Sequence, residues 1–424
     1  MLKIFFQHTQ NNGCGKYRMW QPAAALESQG LCEVRRVPDN NDSLTAAEVD
    51  EVFNWADVVV CQPFSELVAA CLFVAGRDHY RKKLVVDLDD DIWSIHPHNV
   101  GTVNGQLAYI KNVFSGEFDD FWELQDITED QLDEYRQRID GSVVEADGKL
   151  VFVHQKAPDV RLAAEFILEH ADAVTTTNEL LAETFRRHTK APVYSLPNCL
   201  NLPEWSSQKK SGSPELWLGW CGSVSHYPDC KPVAEVIDRL MKRYKQLRLQ
   251  VMGSSFDYFF PIPEGVDKFN IAGYKGDGES LSTSRFEDAV ERWPGRMRFD
   301  RPVPIQDYTK WMSDNWQSDI GLAPLEDNVF NAAKSSLKWL EYSALGAVTV
   351  ASKVGPYKRD MRHDKDGKLC GSMGAWQKGL EELIETPEKR QELTEAATQR
   401  LHDEFDQQKQ AKKWLEVYDG INNS

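Results

Sequence analysis

Short apolar, β-rich runs alternate along most of the chain with stretches whose apolar residues recur every three or four positions. In the first half the apolar runs are 2–7, 56–61, 84–88, 173–177 and 193–196. In the second half they are 216–221, 247–252, 269–272, 297–299, 319–323 and 348–351. Polar residues or glycine bound each run, so each is expected to be a strand buried on both faces. The helical patterns between them cover 46–55, 159–170, 179–188, 231–244 and 305–315. From 375 on the chain is helical, with helices expected at 387–402 and 407–418. Strand–helix alternation of this kind predicts parallel sheets with helices on both faces.

The alternation breaks twice. After Pro197-Asn198, a polar segment rich in Ser, Lys, Gly and Pro runs to Pro214 and has linker composition. The expected organisation is a doubly wound α/β domain over 1–204, a linker at 205–214, a second such domain over 215–402, and a last helical segment at 403–424. A chain of 424 residues suits two cores of roughly 200 residues each. The other break is 99–155, acidic and weakly periodic, which reads as an insertion in the first domain. Within it Asp147-Gly148 separates two apolar runs, as in a β-hairpin.

Composition narrows the classes. Apolar residues make up 41% and charged residues 27%, which excludes a disordered chain. No apolar run approaches the ~18 residues of a membrane span, and the opening apolar run is too short for a secretory leader. A cytoplasmic protein is expected. None of the eight cysteines forms a C-x-x-C pair, so they read as reduced thiols rather than a zinc site. The formal net charge of −17 opposes bulk binding to a polyanion but leaves room for a local basic groove.

Four segments carry candidate chemistry. The first runs from Asp319 through a loop into a helical pattern over 332–345. A helix N-terminus at a sheet's carboxyl edge is an anion site, and Lys334 there adds a point charge suited to a diphosphate. Ser335, Asp327 and Asn331 are further ligand candidates. Glu341 shares a helical stripe with Leu337, Ala344 and Leu345, which places a carboxylate toward the core. It is either bound to ligand hydroxyls or paired with a neighbouring side chain. The second segment ends the strand at 216–221. Gly222 permits close backbone approach, Ser223 can bond a phosphate oxygen, and His226 follows. The third is Gly13-Cys14-Gly15-Lys16-Tyr17-Arg18 after the first strand, where Gly13 and Gly15 make a small-residue loop and Arg18 supplies charge; an ordinary turn is the alternative. The fourth is Asp87-Leu88-Asp89-Asp90-Asp91. Crowded carboxylates raise one another's pKa, which suits a general base; a helix cap is an alternative, and an Asp-x-Asp pair holding Mg²⁺ or Mn²⁺ on a diphosphate is the least favoured of the three. Asp89, Asp90 and Arg18 are the catalytic candidates, and no metal ligands are assigned.

Together these segments resemble the glycosyl transferases group 1 family of GT-B fold, most closely its phage-encoded members. The resemblance rests on Gly13-x-Gly15-x-Tyr17-Arg18 with Pro22, Asp87-x-Asp89-Asp90-Asp91 with Trp93, and Ala171-Asp172-Ala173-Val174-Thr175 leading to Pro197-Asn198. It rests also on Gly219-Trp220-x-Gly222-Ser223 with His226, and on the block from Asp319 to Gly355-Pro356-Tyr357. It implies two Rossmann-like domains facing a cleft and a last helix that crosses back to the first. It implies retaining transfer from a UDP- or GDP-sugar co-substrate to an acceptor hydroxyl, with no bound cofactor and no required divalent metal. By motif position Glu341 resembles the family's ribose-holding glutamate and Lys334 its diphosphate-gripping lysine. A second family glutamate falls at Ala333 and is missing; Asp327 or Asn331 is then expected to replace its sugar contact. The phage resemblance suggests hydroxymethylated bases in DNA as acceptor and a host cytoplasm as location. Glycan or protein acceptors, a sugar-nucleotide epimerase or phosphorylase, and a catalytically silent nucleotide-sugar-binding protein are the alternatives.

Overall fold

The computed structural model describes residues 1–8, 12–37, 44–94, 141–146, 149–154, 157–206, 215–222, 226–253 and 293–424. They form two compact units, Met1–Pro197 with Ala411–Ser424, and Asn198–Gln410.

The first unit is built on strands β1 (Lys3–Gln7), β2 (Glu33–Arg36), β3 (Val58–Cys61), β4 (Lys83–Leu88), β7 (Ala173–Thr176) and β8 (Val193–Ser195). They lie in the order β2-β1-β3-β4-β7-β8, every pair parallel. β3 is Val-Val-Val-Cys and wholly buried, because both faces of a parallel sheet are covered. β2 was not legible from apolar runs: it is Glu-Val-Arg-Arg, an edge strand open to water. A turn Gly13–Gly15 and a π-helical turn Lys16–Trp20 lead into helix α1 (Gln21–Ser28). Helix α2 (Ala46–Trp55) begins at a capping box between Thr45 and Glu48. Helices α3 (Leu67–Tyr80), α4 (Ala157–His170) and α5 (Glu179–Phe185) follow. Two strands, β5 (Gly141–Ala146) and β6 (Lys149–His154), pair antiparallel, as the Asp147-Gly148 signal predicts. The rest of the 99–155 segment lies outside the described residues, apart from these strands.

The second unit's sheet has β9 (Leu216–Gly222), β10 (Leu247–Gly253), β11 (Met297–Asp300), β12 (Ile320–Ala323), β13 (Val348–Ser352) and β14 (Lys368–Cys370). The order is β11-β10-β9-β12-β13-β14, again wholly parallel. The strand expected at 269–272 lies outside the described residues. Helix α6 (Tyr227–Arg243) lays Val236 and Leu240 into a core with Leu218, Trp220, Leu249 and Val350. Helix α7 (Tyr308–Asn315) precedes β12. The helix expected over 332–345 is two helices, α8 (Val329–Ala333) and α9 (Leu337–Ala344). Asn328 starts α8 early by accepting from the Asn331 backbone N–H at 2.8 Å, and Lys334 is extended (ψ 167°). Two serines, poor interior helix formers, fill the break. Helices α10 (Gly355–Asp360), α11 (Met373–Glu385) and α12 (Pro387–Glu404) complete the unit.

The unit's two ends are tied together. Leu200 N–H donates to the Phe405 carbonyl at 2.9 Å, and Gln407 N–H to the Leu200 carbonyl at 2.8 Å. The division therefore falls at Pro197/Asn198, ahead of the linker composition at 205–214, of which 207–214 lie outside the described residues. Trp205 is buried and Ser206 N–H donates to Ser313 Oγ at 3.1 Å, so both belong to the second unit. Helix α13 (Gln407–Asn422) leaves this tie and joins the first unit, where Trp414 and Tyr418 are buried and Tyr418 meets Phe6 edge-on at 5.9 Å. No helix among the described residues is long and apolar enough to cross a membrane.

Candidate functional site

In the second unit β9, β12 and β13 are parallel, so their carboxyl ends share one edge of the sheet. Gly222 closes β9 there. A Cβ at this position would lie 2.6 Å from the Trp220 ring and 3.1 Å from Lys338 Nζ. Glycine thus lets a lysine ammonium sit against the strand end. Lys338 donates from Nζ to the Cys221 carbonyl oxygen at 2.6 Å and lies 5.4 Å from the centre of the Trp220 ring. Sequence reasoning missed this residue. The available signal was its position three before Glu341, on the same side of one helix.

Glu341 is 4% exposed, and its Oε2 accepts from the Tyr308 hydroxyl at 3.1 Å. The acid is therefore buried, as the stripe pattern predicts. Lys334 sits in the break ahead of α9, half-buried, with its ammonium 4.6 Å over the Phe330 ring. Its neighbour Ser335 accepts from Asn198 Nδ2 at 3.0 Å. Gly355 at the start of α10 has φ +38°, and a Cβ there would fall 2.7 Å from both Ala332 Cα and Asn331 O. Only glycine lets α10 approach α8 this closely.

His226 precedes α6. Its Nδ1 is 2.7 Å from Asp229 Oδ2, and burial, then the Lys338 charge, lower the ring's pKa to about 4. Asp229 Oδ1 accepts from the Glu326 N–H at 2.8 Å and from Asn331 Nδ2 at 3.1 Å. Asn331 Nδ2 also donates to the Glu326 carbonyl at 3.0 Å. Both amide hydrogens of Asn331 are thereby used inside the protein. Asn331 Nδ2 thus braces the loop, and Oδ1 is the side-chain atom that can accept from a sugar hydroxyl. Asp327 is exposed on that loop. Ser223 lies outside the described residues.

The first unit's candidates separate into two groups. Arg18 has no exposed surface. Its Nε and Nη2 clamp Asp87 at 2.9 and 2.7 Å, and Nη1 donates to the Leu196 carbonyl at 2.6 Å. Trp414 of α13 covers the guanidinium at 4.8 Å. A guanidinium sealed in this way cannot reach a substrate, so the catalytic assignment of Arg18 is corrected to a structural one. Asp87 is its partner and also accepts from Thr175 Oγ1 at 2.6 Å.

Asp89 and Asp90 lie beyond the strand end beside Cys14. Potential ligand atoms of the three lie within 4.8 Å of one another. Burial, then the Asp90 charge, push the Asp89 carboxyl up to about 7. Burial, then Asp89 and Asp90, push the Cys14 thiol well up as well. A protonated thiol beside a carboxyl that holds its proton near neutrality is a weak cation site but a usable proton acceptor. Asp91 accepts from the Trp93 N–H at 3.1 Å, the cap its position allows. Gly13 and Gly15 form the turn that carries Cys14.

Comparison with known proteins bears on the fold and on part of the second unit. Residues 235–416 match the family described as Glycosyl transferase-like. No curated protein sequence matches the chain closely enough to count as a relative. Among solved structures, Anabaena HepE in complex with UDP and glucose is 14% identical with a TM-score of 0.57, over 99% of this chain and 100% of that one. Sucrose-phosphate synthase from Thermosynechococcus elongatus gives 13%, 0.55 and 99% of both chains. A glycosyltransferase from Rickettsia africae gives 10%, 0.59, and 99% and 98%.

The chain has the GT-B fold, and the segment 235–416 of its second unit matches a glycosyl transferase-like family. At such low identities the structural likenesses establish the fold alone. Ala333, where the resemblance would place a further glutamate, is 3% exposed. The matched segment contains Lys334, Lys338 and Glu341, together with the strand ends of β12 and β13.

Proposed function

We propose that the chain is a glycosyltransferase that takes its sugar from a nucleoside-diphosphate sugar bound at the carboxyl edge of the second unit's sheet. The observation that carries the reading is one helix, α9, with a buried acid in it and two ammonium groups at its start: Glu341, Lys338 and Lys334. A carboxylate held in the core needs hydroxyl or N–H donors, and a ribose supplies two hydroxyls. The ammonium groups and the first-turn N–H groups of a helix favour a diphosphate.

The chemistry follows from charge. As the bond from the sugar's anomeric carbon to the diphosphate breaks, the leaving oxygens gain negative charge. Lys334 and Lys338 stabilise the leaving group more than the bound donor, which is what accelerates the step. The acceptor oxygen forms the new bond and loses its proton. Asp89, titrating near 7, is the group we assign to the acceptor side. Retention of anomeric configuration is the expected outcome. No divalent metal is required, because the two lysines supply the charge a metal would bring.

UDP is the favoured nucleotide, supported by the presence of UDP and glucose in the HepE complex. Titration calorimetry with UDP, GDP, ADP and CDP tests the reading, followed by mass detection of transfer from the matching sugar nucleotide. Failure of all four to bind would remove the donor-site assignment. Hydroxymethylated DNA is an acceptor to include, since the sequence resembles phage-encoded enzymes. With a net charge of −17, duplex binding would have to come from a local basic surface and fall steeply with salt.

A further inference from the structure

We propose that His226 takes up a proton when a nucleotide sugar binds, and so becomes a third cation of the diphosphate site beside Lys334 and Lys338. The proposal rests on the donor reading above and adds a change of protonation to it.

The geometry fixes which ring nitrogen can change. Asp229 Oδ2 is 2.7 Å from His226 Nδ1, while its Oδ1 is held by the Glu326 N–H and Asn331 Nδ2. Against the effect of burial, the bond from His226 keeps Asp229 below its usual range, so it is ionised. An ionised acceptor at Nδ1 requires Nδ1 to carry the hydrogen. Nε2 is then a lone pair in the neutral ring and an N–H only in the cation.

The groups facing His226 are Asp229 from its own helix, Lys338 from α9, Lys334 from the break before α9, and Trp220, which meets the ring edge-on at 6.2 Å. Beyond Asp229, the Glu326 carboxylate accepts from Asn328 Nδ2 at 3.1 Å. In the empty site burial and the two ammonium groups keep the ring neutral, against the pull of Asp229. The lone pair on Nε2 then has the wrong polarity for a phosphate oxygen, which can only accept. A bound diphosphate brings negative charge against both lysines. It offsets their repulsion of an imidazolium and offers an acceptor to Nε2–H. The imidazole plus one solvent proton gives the imidazolium; no other bond changes.

Nucleotide sugars are the suitable probe, because their diphosphate has no ionisation near neutrality. The experiment is calorimetry of the full chain with UDP-glucose and GDP-glucose at about pH 6, between the empty-site value of about 4 and the ordinary histidine value of ~6.5. Two buffers of different ionisation enthalpy are compared. The expected result is uptake of roughly half a proton or more per ligand, with binding about fourfold tighter at pH 6 than at pH 8. In His226→Gln the buffer dependence should vanish, and with it the fourfold difference in affinity between pH 6 and pH 8. Should that variant misfold, Asp229→Asn should shift the uptake to lower pH. Binding with no buffer dependence in the parent protein overturns the proposal and leaves the donor reading intact; it would mean that Nε2 accepts from a sugar hydroxyl. Undiminished uptake in both variants also overturns it. Absence of binding by either nucleotide sugar counts against both readings.

Discussion

Lys338 Nζ donates to the Cys221 carbonyl oxygen at 2.6 Å, so the first turn of α9 is tied to the last residues of β9. The same ammonium is half-exposed and has donors left for a ligand. Lys338→Met keeps the stem and removes the charge. Loss of charge-assisted bonds worth about 1.5–3 kcal/mol predicts a roughly 10- to 100-fold weaker nucleoside diphosphate. Unfolding stability should change by no more than about 2 kcal/mol, as only one internal hydrogen bond is removed. Calorimetry and denaturant titration of the same preparation separate the two effects. A variant that binds like the parent protein removes Lys338 from the site.

Glu341 and Tyr308 share a hydrogen bond of 3.1 Å, and two conservative variants apportion it. Tyr308→Phe removes only the protein's own donor and should alter nucleotide affinity less than about fivefold. Glu341→Gln keeps the shape but replaces an ionised acceptor, and should weaken binding by tenfold or more if ribose hydroxyls bond to it. A 2′,3′-dideoxyribose nucleotide, which lacks both hydroxyls, should bind to Glu341→Gln and to the parent protein with similar affinities. Equal losses for ribose and dideoxyribose nucleotides would mean that Glu341 acts only within the protein.

The sheet pattern was legible because burial on both faces leaves no polar alternation, as in Val58–Cys61 and Val348–Ser352, and the buried acid because Glu341 shares a helical stripe with apolar residues. Among the described residues, two of the four edge strands of the six-stranded sheets escape that logic. Glu33–Arg36 faces water, and Lys368–Cys370 is too short to show a pattern. Helix α3 was also unread, since most of its residues from Leu67 to Val74 are apolar and give little periodicity. The break between α8 and α9 depends on Asn328 and on an extended Lys334, which spacing alone does not encode. Arg18 illustrates the converse: a charged residue after the first strand suggests a ligand site, yet its partner Asp87 is distant in sequence and α13 covers both.

The Arg18–Asp87 pair has no exposed side-chain surface on either partner. Removing one member leaves the other charge buried without compensation, which typically costs 3–5 kcal/mol. Arg18→Met and Asp87→Asn should therefore each lower the denaturant midpoint of the chain sharply. Nucleotide binding by the folded fraction should persist, because the pair lies in the other unit from Lys338 and Glu341. Stability within about 0.5 kcal/mol of the parent protein, with activity lost, would return Arg18 to the catalytic group.

Asp89 gives a pH dependence whose sign can be worked out. Burial, then Asp90, raise its folded-state pKa to about 7 from the ordinary aspartate value of 3.8. A raised value means that the folded chain holds the proton more tightly than the unfolded chain. The carboxyl's contribution to stability is then fully present below the unfolded value and is lost as pH rises through 7. Asp89→Asn is neutral throughout, so it should stabilise the chain relative to the parent protein at pH 8 and lose that advantage at low pH. The gain should be on the order of 1 kcal/mol, because the site is partly open to water. Transfer activity should behave in the opposite way. If Asp89 accepts the acceptor's proton, the parent protein's rate should rise through pH 7 as the carboxylate forms, and Asp89→Asn should lose both the rate and that inflection. Thermal melts and initial rates over the same pH series provide both readings. A stabilised but fully active variant would leave the raised pKa as a cost of packing with no part in catalysis.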